Sequence, residues 1–288
     1  MDIENTPDHT RDITPGMASD TKADMASDLD DPLDFTGRVV LVTGGTKGIG
    51  AATAQAFLGA GADVVVCGRT APAALPAAAG REAFFVAADV RDPAAAAELV
   101  DRTVERFGRL DVLVNNAGGS PDADAATVSP RFVEKIVALN LLAPFYVAQA
   151  AHGAMRTRPG GGSVVNIGSV SAHDPQPGTA AYTAAKAGLL ALTKALALEW
   201  APEVRVNHIT TGLVRTGSAA SVYGADGGAS VAGVVPMGRM AVPADVARAC
   251  LFLASDLSAY VNGADLAVHG GGELPARFLA AKSASGQV

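Results

Sequence analysis

Seven short apolar runs recur along this chain, and helical patterns separate most of them. The runs cover residues 39–42, 64–66, 84–86, 112–114, 163–167, 204–209 and 265–268. Several carry no polar residue at alternate positions, so they have no wet face and belong inside a sheet covered on both sides. Helical patterns occupy 51–60, 93–107, 130–155, 180–200 and 243–255. Strands joined through helices pair in parallel, because a tight hairpin can only connect antiparallel neighbours. The expected fold class is α/β, a doubly wound parallel sheet. Asp92-Pro93 and Ser129-Pro130 mark two helix starts, where proline needs no N–H and its neighbour can accept a free one.

Residues 1–34 lack this periodicity and are rich in Asp, Thr, Ser, Pro and Met. Such a stretch buries too little apolar surface to offset the entropy of ordering it, so a flexible acidic arm is expected, with residues 35–288 as one folded domain. The helices at 130–155 and 180–200 are apolar over much more than one stripe, and 187–193 is apolar nearly all round. That pattern asks for burial on two sides. The sheet supplies one side, and a second copy of the chain is expected to supply the other, in a homo-oligomer (a dimer or a tetramer). The net charge is −7, and no Lys/Arg cluster lies on a helix, which argues against nucleic acid as a partner. No uninterrupted apolar run has the length of a membrane span, and the N-terminus shows no apolar leader core, so a cytoplasmic protein without a membrane partner is expected. Cys67 and Cys250 have no metal-ligand spacing; Cys67 ends an apolar strand and reads as a reduced core thiol, and no metal site is expected.

The first apolar run leads into Thr43-Gly-Gly-Thr-Lys-Gly-Ile-Gly50, which opens a helix. Glycines at such a junction let a pyrophosphate approach the free N–H groups and positive dipole end of the helix. Gly44, Gly48 and Gly50 are assigned to a dinucleotide, with Thr46, Lys47 and Ile49 in the same turn. The second strand ends at Gly68-Arg69, where a carboxylate would bond the ribose hydroxyls of NAD. Arg69 and Lys47 instead suit a 2′-phosphate, so NADP(H) is the expected cofactor and NAD(H) the lesser alternative. Asp89 and Val90 follow the third strand, where a carboxylate would stand near the adenine. Asn115 and Asn116 follow the fourth, either tying strand to strand or, for Asn116, contacting the cofactor.

Tyr182 and Lys186, four residues apart, share one face of a helix, and Ser169 lies thirteen residues before the tyrosine. A free phenol has a pKa of about 10. An adjacent ammonium favours the phenolate and is expected to lower that value toward neutrality. Ser169, at a strand end, can polarise a carbonyl by hydrogen bonding, with Ser171 as its rival. Asn140 is a polar residue in an apolar helical stretch. In this order and spacing, the glycine turn, Asn115-Asn-Ala-Gly118, Asn140, Ser169 and Tyr182-x-x-x-Lys186 resemble the short-chain dehydrogenase/reductase family, in its TGxxxGxG branch, from about residue 37 to 272. The resemblance implies a Rossmann-type sheet, a nicotinamide cofactor and a catalytic tetrad of Asn140, Ser169, Tyr182 and Lys186. Within it Tyr182 is the general acid/base, Lys186 bonds the nicotinamide ribose and Asn140 holds a relay water. Thr216 is implied as a further cofactor contact. Two positions depart from the family pattern. Thr211 replaces a proline, which is expected to loosen that loop. His269 stands where aspartate is common before Gly-Gly.

The implied reaction interconverts a ketone and a secondary alcohol. Residues 213–236 form the expected substrate loop, with small uncharged side chains and Tyr223 as its only aromatic, which suits a small neutral or apolar carbonyl or alcohol. Gly119-Ser-Pro121 is a second candidate wall, and His173 is expected to face solvent rather than to serve the substrate loop, the alternative its place in the sequence leaves open. A β-ketoacyl thioester, a steroid, a sugar and a small ketone all remain open. So does a non-catalytic NADP-sensing or scaffolding protein of the same fold. An extended-type epimerase or dehydratase is disfavoured by the few residues after Gly272.

Overall fold

Each of the seven runs becomes a strand of one sheet: β1 Val39–Thr43, β2 Asp63–Gly68, β5 Phe84–Ala87, β6 Val112–Asn115, β7 Gly162–Ile167, β8 Val204–Thr211 and β9 Asp265–Val268. The computed structural model describes residues 31–217, 223, 224, 226 and 228–284. Residues 1–30 of the expected arm and part of the expected substrate loop lie outside them. All neighbouring strands pair in parallel, in the order β5-β2-β1-β6-β7-β8-β9. The chain first winds outward from β1 to β2 and β5, then returns to the other side of β1 at β6. That reversal leaves a crevice at the carboxyl ends of β1 and β6, where such sheets bind ligands. A small antiparallel hairpin of β3 (Ala77–Ala78) and β4 (Arg81–Glu82) was not anticipated.

Among the described residues the helices are α1 Gly48–Gly59, α2 Pro93–Phe107, α3 Pro130–Val137, α4 Ala143–Met155, α5 Ala180–Glu199, α6 Ala229–Ala232, α7 Pro243–Ala254 and α8 Ala276–Ala284. They cover both faces of the sheet. Leu41 turns into a cluster with Leu99, Val147 and Leu196, from α2, α4 and α5. Its neighbours Val40 and Val42 turn into another with Phe57 and Leu253, from α1 and α7. Strand alternation forces this split, and each such buried side chain contributes about 1.5–3 kcal/mol. The expected caps form: Asp92 accepts the Ala94 N–H at 2.9 Å, and Ser129 accepts the Phe132 N–H at 3.3 Å.

The stretch expected as one helix at 130–155 is instead α3, a π turn at Ala138–Leu142, and α4. By length and composition Pro130–Met155 is long and apolar enough to cross a membrane, with a mean hydropathy of 1.3 in its most apolar window, although Asn140, Gln149 and His152 interrupt the apolar run. Asn140, Val147, Ala151 and Met155 sit buried within the fold.

Candidate active site

The glycine turn is drawn tight at the carboxyl end of β1. Gly44 and Gly48 take φ of +61° and +55°, a region costly to residues with a Cβ. A Cβ on Gly50 would lie 2.4 Å from the Gly44 carbonyl oxygen, and one on Gly45 would lie 2.5 Å from Val66 Cγ1. Thr43 Oγ1 accepts the N–H groups of Asn116 and Ala117, both at 3.0 Å. Asn116 Nδ2 donates back to the carbonyls of Thr43 (2.9 Å) and Gly44 (3.1 Å). Asn116 therefore commits its amide to holding the turn. Asn115 Nδ2 likewise ties β6 to Pro144 and to Asn166 on β7. Lys47 precedes α1 without a side-chain cap, and the first turn of α1 holds no acid. A cradle with no room for a Cβ below an uncapped helix start fits a pyrophosphate.

The other expected cofactor contacts differ in what they offer. Lys47 and Arg69 are exposed, while Thr46 and Ile49 are half-buried. The Thr46 methyl lies 3.5 Å from where a Gly68 Cβ would be, and the Thr216 methyl is 3.5 Å from the corresponding point on Gly48, so the loop after β8 reaches the turn. Arg91 Nε donates to Asp89 Oδ1 at 2.8 Å. That bond holds the Asp89 carboxyl below the usual range, and Arg69 adds a weaker attraction. Val90 turns its side chain into the core, which leaves only its backbone for a ligand.

Ser169 leaves β7 as the cap of a 3-10 turn at Val170–Ala172, accepting the Ser171 N–H at 3.2 Å. The Ser169 and Ser171 hydroxyls are 3.2 Å apart, and the Ser169 side chain is near enough to the Tyr182 phenol to favour its ionised form. Lys186 Nζ stands 5.7 Å from the Tyr182 ring centre and donates to the Ile167 carbonyl at 2.7 Å. The two residues thus share one face of α5. Burial draws the Lys186 amine down to about 8. Tyr182 moves the opposite way from expectation: burial raises its phenol, the Ser169 bond offsets part of that rise, and the Tyr223 phenol adds to it. Desolvation is the largest influence on the phenol, while the neighbouring amine turns its donor to the Ile167 carbonyl.

Asn140 is fully buried in the π turn. Its Nδ2 donates to the carbonyls of Ile136 (2.9 Å) and Gly119 (3.0 Å), and its Oδ1 accepts the Gly119 N–H at 2.9 Å. A Cβ on Gly118 would lie 2.9 Å from Asn140 Oδ1 and 3.4 Å from Lys186 Nζ, so this glycine lets Asn140 and Lys186 approach one another. Such π turns are frequent at functional sites. A cavity of about 190 Å³ borders Tyr182, walled by Val128, Phe132, Val133 and Ala123, with Ser120 and Thr179 as polar points. Thr211, expected to loosen its loop, pairs with Val268 and donates to the Gly168 carbonyl at 2.8 Å. Its hydroxyl supplies an anchor that proline lacks. His269 packs its Cβ 2.7 Å from where a Gly212 Cβ would stand.

Sequence reasoning missed one group beside this centre. His208 on β8 and Asp265 on β9 are hydrogen-bonded at 2.7 Å, and His173 reaches the same carboxylate at 2.8 Å. A histidine inside the apolar run 204–209 was the available signal.

A family model described as Enoyl-(Acyl carrier protein) reductase matches residues 44–273. The D-threitol dehydrogenase of Mycolicibacterium smegmatis is 37% identical over 255 residues, covering 86% of this chain and 96% of that protein. The NADP-dependent (R)-specific alcohol dehydrogenase of Lentilactobacillus kefiri is 34% identical over 242 residues, covering 82% and 96%. A crystal structure of a short-chain type dehydrogenase/reductase from Mycobacterium marinum superposes with a TM-score of 0.79 at 33% identity, covering 85% of this chain and 99% of that one.

Proposed function

The chain belongs to the short-chain dehydrogenase/reductase family, and from that premise we propose that it interconverts a small neutral ketone and its secondary alcohol with NADP(H). The observation that carries this reading is Tyr182 beside Ser169, whose side chain acts on the phenol, with Lys186 behind the ring and an apolar cavity beside it. The bound nicotinamide supplies or accepts the hydride. Gly44 to Gly50 and the start of α1 hold the pyrophosphate, and Lys186 bonds the ribose. Ser169 and Tyr182 hold the substrate oxygen. Tyr182 donates its proton to that oxygen as negative charge develops during reduction, and takes it back during oxidation. A phenol raised by burial stays protonated at neutral pH, which suits the acid role in reduction. Alcohol oxidation, which needs the phenolate, is favoured at alkaline pH. Asn140, bonded to the Gly119 loop and close to Lys186, keeps the proton path from that amine open.

Lys47 and Arg69, with no carboxylate at the end of β2, support NADP(H), as does the NADP dependence named for the Lentilactobacillus kefiri relative. Glu273, which accepts a hydrogen bond from Gln176 at 3.0 Å and acts on the Tyr223 phenol, weighs against an anionic substrate. Leu198 on α5 is 84% exposed and Leu142 in the π turn 37%, and these exposed apolar side chains support burial against another copy of the chain in a dimer or tetramer. Light scattering during size-exclusion chromatography tests that assembly, and a monomer at micromolar concentration refutes it.

The functional test is a panel of neutral ketones and alcohols followed at the nicotinamide absorbance band with both cofactors. NADPH is expected to be the better substrate. Arg69→Ala should lower kcat/KM for NADPH about 10- to 150-fold, the equivalent of a charge-assisted hydrogen bond of about 1.5–3 kcal/mol, while sparing NADH. Equal efficiency with both cofactors refutes the cofactor assignment.

A further inference from the structure

Behind the reaction centre, on the sheet face that α5 covers, lies a chain of polar groups that the proposed chemistry does not use. His208 is fully buried, and its Nδ1 stands 2.7 Å from Asp265 Oδ1. Thr210 Oγ1 donates to the same oxygen at 2.7 Å, and His173 Nε2 stands 2.8 Å from Asp265 Oδ2. Burial alone would raise the Asp265 carboxyl, but the hydrogen bonds from Thr210 and His208 hold it below the usual range, so it is a carboxylate at neutral pH. A carboxylate only accepts hydrogen bonds. His208 therefore carries its proton on Nδ1, and its Nε2 is a bare lone pair, buried without a partner among the described residues. A buried polar atom left unpaired calls for an explanation.

Its surroundings supply one. A Cβ on Gly168 would lie 2.0 Å from His208 Cε1 and 2.1 Å from Nε2, so the ring edge rests against Gly168, the residue that precedes Ser169. Gly168 is otherwise held by its N–H to the Ile209 carbonyl at 2.7 Å and by Thr211 at 2.8 Å. The charged groups acting on the ring are Asp265 from β9, Lys186 from α5 and His173 from the segment after the 3-10 turn. Burial, with Lys186 and His173, outweighs Asp265 and disfavours the imidazolium.

We propose that His208 is a positioning residue for Ser169: Asp265 fixes it as the neutral Nδ1–H imidazole, and its ring braces the strand end that sets Ser169 beside Tyr182. A proton on Nε2 would set an N–H without an acceptor against Gly168 and a second cation beside Lys186, so the ring would move and Ser169 with it. The proposal rests on the reading that Ser169 and Tyr182 hold the substrate oxygen.

Nuclear magnetic resonance of the histidine rings, with pH profiles of kcat for the wild type, His208→Asn and His173→Gln, tests it. Asparagine keeps a donor for Asp265 but does not titrate, and glutamine does the same at the surface. The wild-type His208 is expected to show Nδ1–H and to titrate below the ordinary value of about 6.5. Wild-type kcat should fall about tenfold per pH unit below that same midpoint, with the KM for cofactor unchanged. The acid limb should vanish in His208→Asn and survive in His173→Gln. An Nε2–H tautomer, a limb that persists in His208→Asn, or one that vanishes in His173→Gln overturns the proposal. If His208→Asn does not fold, a mismatch between the wild-type ring and kcat midpoints does so. Absence of turnover on every substrate would count against the proposed function instead. The phenol absorbance titration of Tyr182, taken as the difference from Tyr182→Phe, then decides. Its midpoint should rise in His208→Asn as the Ser169 bond is lost, and an unchanged midpoint overturns the positioning role.

Discussion

Lys186→Met should change the pH dependence of stability in a direction set by burial. Lys186 is 4% exposed, and its amine is drawn down from 10.5 to about 8 by desolvation. A shift of about 2.5 units corresponds to about 3 kcal/mol, at about 1.4 kcal/mol per unit. Below pH 8 the lysine is charged in both the folded and unfolded chain, and the folded state bears the full desolvation cost. Between pH 8 and 10.5 the folded chain releases this proton before the unfolded one does, so the cost fades. Stability contributed by this group is complete above 10.5 and lost as pH falls through 8. Methionine has nearly the same shape and no charge, so its variant lacks this slope. It also leaves the Ile167 carbonyl without its 2.7 Å donor, at a cost of about 1–3 kcal/mol at every pH. The wild type minus variant difference in unfolding free energy should therefore rise by about 3 kcal/mol from pH 7.5 to 10.5. Urea unfolding at half-unit pH steps measures it. Parallel curves across that window would refute the desolvation of Lys186.

Other consequences follow from the same geometry. Gly50→Ala places a methyl 2.4 Å from the Gly44 carbonyl oxygen, so it should lower stability by about 1–3 kcal/mol and cofactor affinity at least about tenfold by fluorescence titration. Gly153→Ala, on α4 with nothing within 4 Å of the new atom, should leave affinity unchanged and raise stability by about 0.5–1 kcal/mol. Cys67 and Cys250 are buried, their thiols pushed up to about 11 and about 12, so a thiol reagent at pH 8 should label both only after unfolding. Asn140→Ala strands the Gly119 N–H and two carbonyls; its melting temperature should fall, and kcat should drop more than tenfold, in a thermal scan and a steady-state assay.

The sheet was legible because seven apolar runs have no wet face, and Pro93 and Pro130 with their preceding Asp and Ser fixed two helix starts to the residue. The pairing of Lys186 with Tyr182 was legible because four-residue helical spacing puts both on one face of a helix. Spacing is silent on water exclusion, and so it misjudged the phenol: the sequence shows an ammonium nearby but not the burial that raises the phenol. The π turn escaped notice because it depends on Asn140 bonding Gly119, twenty-one residues away. Asn116 was read both as tie and as contact, and only its two bonds to the glycine turn show how its amide is used. His208 and Asp265 lie 57 residues apart on separate strands, and only the β8–β9 register makes them neighbours.

Turnover of Tyr182→Phe, measured beside the wild type on the same carbonyl panel with NADPH binding checked in parallel, bears most directly on the site. Phenylalanine keeps the ring over Lys186 and removes only the hydroxyl beside Ser169. Loss of kcat by at least about a thousandfold with cofactor affinity retained is the expected result, as for a proton donor of the reacting oxygen. A variant that still reduces ketones at near wild-type rate would show that the proton comes from elsewhere.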